Sequence, residues 1–103
     1  DLESHLASGW RIMAGSEITD VVLRFTPEVT PHIHERQWHP TQKLEKTEDG
    51  GCLLSVQVAQ PQEMQPFIRS WGAQVVVLAP DWLRAQIGKE LQQAAAQYTE
   101  RSL

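Results

Sequence analysis

The chain has 103 residues, 41% of them hydrophobic and 21% charged, with a formal net charge of −4. A chain of this size forms one domain and buries about two-thirds of its unfolded surface, so it folds without staples. The composition excludes a disordered or collagen-like protein, and the longest apolar run, Val75 to Ala79, is too short for a helical membrane span.

The acidic balance argues against a stand-alone nucleic-acid binder, because phosphate neutralisation by cations supplies most of the affinity of such domains. The single cysteine, Cys52, excludes an internal disulfide and a Cys-rich zinc site. It lies in an apolar run, where a thiol acts as a small buried hydrophobe. No charged-then-apolar leader opens the chain, and the expected location is cytoplasmic. The chain starts at Asp1 without an initiator methionine and so reads as a fragment or a processed product. Residues 1–16 read as a linker from a missing upstream domain, and 17–103 as the folded domain.

The run Glu17 to Phe25 is the first expected strand, with Val21, Leu23 and Phe25 on one face and Val22 and Arg24 on the other. Thr26-Pro27-Glu28 then signals a helix start: a hydroxyl cap, a proline at the first helical position and an acid in the first turn. This first helix is expected to fade near Trp38, because His39 precedes Pro40. "QKLEKTEDGGCLLSVQVA" reads as a hairpin turning at Asp49-Gly50-Gly51, with Cys52, Leu54, Val56 and Val58 sharing a face. In "QPQEMQPFIRSWG", Met64, Phe67, Ile68 and Trp71 fall on one helical face and Gly72 supplies the stop. Pro66 inside that run implies a late start or an irregular first turn. Val75 to Ala79 is a nearly uniform apolar strand, expected to be central or covered on both faces. The last helix starts at Asp81, with Leu83, Ile87, Leu91, Ala94 and Tyr98 as one apolar stripe.

The expected order is β-α-β-β-α-β plus a C-terminal helix. The fold class is α+β, a ferredoxin-like split arrangement with a four-stranded antiparallel sheet and both crossover helices on one face. The other face then needs cover from the last helix, the linker or a second chain.

"HERQWHPTQ", residues 34–42, with His32 just upstream, holds three of the four histidines. On a helix, His32 and His34 lie about 200° apart around the axis and cannot chelate one ion. No carboxylate pair or Cys stands at ligand spacing, so surface or capping roles outweigh metal binding and no cofactor is expected. A histidine base also needs a nucleophile and an orienting acid. Ser55 and Ser70 sit within an expected strand and helix, with no nucleophile elbow, so the chain reads as no enzyme. The tryptophans say more. Trp71 suits the core, Trp38 ends the first helix, and for Trp10 and Trp82 core and interface stay equally open, since aromatic anchors are enriched at protein–protein contacts.

The ordered set of Leu23 to Glu28, Glu35 to Pro40, Asp49-Gly50, Trp71-Gly72 and Val77 to Pro80 resembles the C-terminal extension found after WYL domains in bacterial transcription regulators. The resemblance covers residues 17 to 98. It implies a regulatory and dimerisation domain, one that relays effector state to a winged-helix DNA-binding domain absent from this chain. The implied partners are the WYL domain of the same or partner chain, in a homodimer, with DNA reached only through that missing domain. The alternative is a ligand-sensing domain that binds a nucleotide or oligonucleotide near Arg24, Arg36 and His39. Candidate ligand or interface residues are Arg24, Arg36, Trp38, His39, Trp10 and Trp82.

Overall fold

The computed structural model describes residues 18–99, so Trp10, Glu17 and the linker reading lie outside the described residues. Four strands, β1 (Thr19–Phe25), β2 (Lys43–Lys46), β3 (Cys52–Val58) and β4 (Val75–Ala79), alternate with α1 (Thr30–His34), α2 (Gln65–Ser70) and the long α3 (Asp81–Thr99). The strands form one sheet in the order β2-β3-β1-β4, every neighbouring pair antiparallel. The chain is thus an α+β domain with a four-stranded antiparallel sheet and a C-terminal helix.

Alternation along the strands builds the core. Val21 pairs with Val56, Leu23 with Leu54 and Phe25 with Cys52, which sets all six side chains on one face, where each is buried. Ile33 of α1, Ile68 of α2, and Leu83 and Ile87 of α3 join the same cluster, so the helices commit their buried residues to that face. Cys52 is buried there, with the Thr30 hydroxyl 3.5 Å from its sulfur, as expected of a small hydrophobe.

Prolines set where the helices begin. α1 starts at Thr30, not Pro27, and ends at His34, short of Trp38. A helix from Pro27 would put Pro31 one turn in, where its missing N–H and its ring both break the ladder; starting at Thr30 moves Pro31 into the first turn. The Thr26 hydroxyl meets the Gln74 side chain instead of capping α1, while the Thr26 carbonyl accepts the amides of Val29 and Thr30. Pro66 acts likewise: a 3₁₀ turn over Pro61–Met64 leads into α2, whose first turn holds Pro66. Gly72 follows at φ 58°, the left-handed stop expected of it.

Two expectations fail at the end of the chain. β4 is an edge strand, not a central one, and Val76 is 38% exposed. Its apolar run is consumed on one side by β1 and on the core face by α3, which leaves the outer edge bare among the described residues. The α3 stripe is used only at Leu83 and Ile87, whereas Leu91, Ala94 and Tyr98 are exposed. Length explains this: five strand residues run about 17 Å and nineteen helical residues about 28 Å, so α3 outruns the strand it packs on. Gly88 sits mid-helix, where an added Cβ meets nothing within 4 Å among the described residues. Gly88→Ala should therefore raise stability by about 1 kcal/mol, read from the urea midpoint.

Candidate functional site

The sequence candidates do not gather into one site. Arg24 is exposed on the sheet face opposite the helices, beside its cross-strand neighbours Leu53 and Val76. Trp38 belongs to the helix side instead, packed on Phe67 (centroids 5.3 Å apart) and Trp71 (6.2 Å), with Phe25 on Trp71 at 5.5 Å. Its indole N–H donates to the Ile33 carbonyl at 3.0 Å, so Trp38 anchors the end of α1 to the core. Arg36 is exposed and lays its guanidinium over the Trp38 ring at 4.9 Å. Trp82 is 48% exposed at the start of α3. The indole N–H of Trp71 is buried without a hydrogen-bond partner among the described residues.

His39 is the correction in this group. The sequence sets it among residues presented to a neighbour; the fold buries it to 2% exposure. Its Nδ1 accepts the Thr41 amide at 3.1 Å and lies 2.8 Å from the Thr41 hydroxyl. That hydroxyl oxygen in turn accepts the Gln57 amide at 2.8 Å, tying the loop to β3 just beyond the last β2 pair, Lys43 with Ser55. The Gln42 side-chain oxygen accepts the amides of Trp38 and His39, closing the loop on itself. These side chains capture backbone donors that a longer α1 would have used, which is why the helix stops early. "HERQWHPTQ" is thus a self-tied loop. Neither Thr41 nor Gln42 was singled out from sequence; the only hint is two hydrogen-bonding side chains directly after His-Pro.

His32 and His34 are exposed, and His32 Nδ1 lies 4.0 Å from Glu35, a solvated pair of little energetic weight. Among the described residues no group of three His, Cys, Asp or Glu side chains is placed to hold a metal, and no helix is long and apolar enough to cross a membrane.

The face opposite the helices is partly accessible. Asp20, Arg24 and Gln57 are exposed on it, and Val22, Leu53 and Ser55 are half-buried. Near one end, Asp20, Thr41, Lys43, Ser55 and Gln57 line a depression of 280 Å³. At the other end the hairpin turn presents Asp49, whose carboxyl is held below its ordinary value of 3.8, first by the Thr47 hydroxyl and then by the Gly51 amide. A carboxylate with a depressed folded pKa contributes stability above 3.8 that is lost as pH falls through the folded value. Acid titration of stability should show that loss below 3.8 in the wild type, and Asp49→Asn should flatten the curve there.

No curated protein matches the chain. The family model of the WCX domain matches residues 17–95, which take in all four strands, α1, α2 and most of α3. By that match the chain belongs to the WCX family, the C-terminal extension of WYL-domain regulators.

Proposed function

We propose that this domain is the regulatory and dimerisation module of a WYL-domain transcription regulator, passing effector state to a DNA-binding domain carried elsewhere. The reading gives it no catalytic role, a cytoplasmic setting, and as partners the WYL domain of its own or a second chain. The interleaved order β2-β3-β1-β4 supports a ferredoxin-like assignment. One observation carries the pairing: a sheet face with Val22, Leu53 and Val76 among polar neighbours, to which no described helix commits its buried residues. A half-apolar sheet face of this kind is a natural association surface. Light scattering coupled to sizing should give a dimer. A strict monomer at high concentration, with the full-length regulator still dimeric after deletion of this domain, ends the proposal.

The 280 Å³ depression favours a second reading, a ligand-sensing surface for a nucleotide or oligonucleotide. Its polar lining includes Lys43, and Arg24 lies on the same face. Arg36 and His39 do not share that surface, so the ligand would meet Arg24 and Lys43 instead. A nucleotide present at a hundredfold excess over its dissociation constant would stabilise the fold by about 2.7 kcal/mol, visible in a thermal-shift screen. Unchanged melting across nucleotides and oligonucleotides removes this reading.

A further inference from the structure

The two edges of the sheet differ in kind. β2 closes one edge as Lys-Leu-Glu-Lys, whose charges discourage strand addition. β4 closes the other as Val-Val-Val-Leu-Ala, without a charge. Along it runs a groove of 210 Å³, in which Val75, Val76 and Val77 face Ile87, Gly88 and Leu91 of α3. Consecutive strand residues point to opposite faces, so a groove touching all three follows the outer edge itself. Gly88 leaves its helical wall open, since no atom of the described residues lies within 4 Å of an added Cβ. Val76 and Leu91 are 38% and 43% exposed.

The backbone is poised as well. β1 takes one side of β4. The Val77 carbonyl accepts Arg84 Nη1 at 3.1 Å from α3, so it points to the outer side, and in an extended strand the N–H of the same residue points with it. Among the described residues the edge therefore offers an outward amide beside a carbonyl held by a guanidinium.

We propose that this edge docks an extended, acidic peptide segment of another protein, which adds as a strand along β4 with alternate apolar side chains in the groove and a carboxylate at Arg84. Charge selects that occupant. Arg84 and Lys89 line the adjoining shelf against one acid, Asp81, on a chain whose net charge is −4. A carboxylate that draws the guanidinium into a charge-assisted pair frees the Val77 carbonyl for the incoming strand. A second copy fits worse, because β4 paired with itself about Val77 sets the two copies' Arg84 side chains against each other. This docking edge shares only Val76 with the open sheet face and stands whether or not the domain relays effector state.

The test is fluorescence anisotropy of a labelled peptide alternating valine and glutamate, titrated with the 103-residue chain. The peptide should bind, and the same sequence with alternate amides N-methylated should not. Gly88→Leu, which fills the groove, should abolish binding while circular dichroism stays unchanged. Arg84→Glu should weaken the glutamate peptide about fivefold and strengthen a valine–lysine peptide by a similar factor. No binding of the glutamate peptide, or equal binding to Gly88→Leu, overturns the proposal. Protection of the Val77 amide that grows with protein concentration alone overturns it in favour of a second copy.

Discussion

Replacing Gly51 with alanine should lower stability by about 3 kcal/mol, measured as a fall in the urea midpoint at unchanged slope. An added Cβ there would lie 2.3 Å from the Phe25 carbonyl oxygen, with Thr47 Oγ1 and Asp49 Oδ1 at 3.1 and 3.2 Å. The first of these is backbone in a central strand and cannot swing aside. Phe25 is 1% exposed and pairs with Cys52, the residue next to Gly51, so relief of the clash must move the β1–β3 ladder or the hairpin end. Gly50 is a different case. Its φ of +92° needs glycine for conformational reasons, while the space around it is ordinary, so Gly50→Ala should cost about 1 kcal/mol. A Gly51→Ala protein no weaker than Gly50→Ala contradicts the close approach.

His39→Leu should cost about 2 kcal/mol, because the part-buried Thr41 amide loses its acceptor and the Thr41 hydroxyl a polar neighbour. His39→Ala should cost about 3 kcal/mol, the extra arising from the cavity left behind. His32→Ala and His34→Ala, both at exposed positions, should stay within about 0.5 kcal/mol of wild type. Urea melts followed by tryptophan fluorescence make the comparison directly, since Trp38 sits in the loop that His39 holds. Equal effects at His39 and His32 would mean that the hydrogen bonds of His39 do not hold the loop together.

The strands were legible because burial on one face imposes a period of two, so Val21, Leu23 and Phe25, and Cys52 through Val58, announced both their elements and their core faces. Pro66 and Gly72 were readable because each has one backbone conformation that it serves best. The family, too, was legible from ordered short motifs, and its match spans residues 17–95.

The candidate site was less legible. Histidine, arginine and tryptophan within nine residues look alike whether they face a partner or tie a loop, because residue type carries no direction. His39 went inside through contacts with Thr41, and Trp38 joined rings from α2, while Arg24 ended on the far face of the sheet. Sequence explains Gly51 by turn conformation, yet its reason is a carbonyl contributed from β1, twenty-six positions earlier in the chain.

By itself, then, the sequence determined the element types, the strand faces and the family, since propensity, periodicity and proline or glycine stereochemistry act over a few neighbouring residues. Tertiary structure alone decided that Val75–Ala79 lies at an edge, that α3 outruns its strand, and that His39 is buried while Arg84 reaches the Val77 carbonyl. Those outcomes depend on which strands pair and how far each element extends against the next. Both are set by contacts between distant segments that no local pattern encodes.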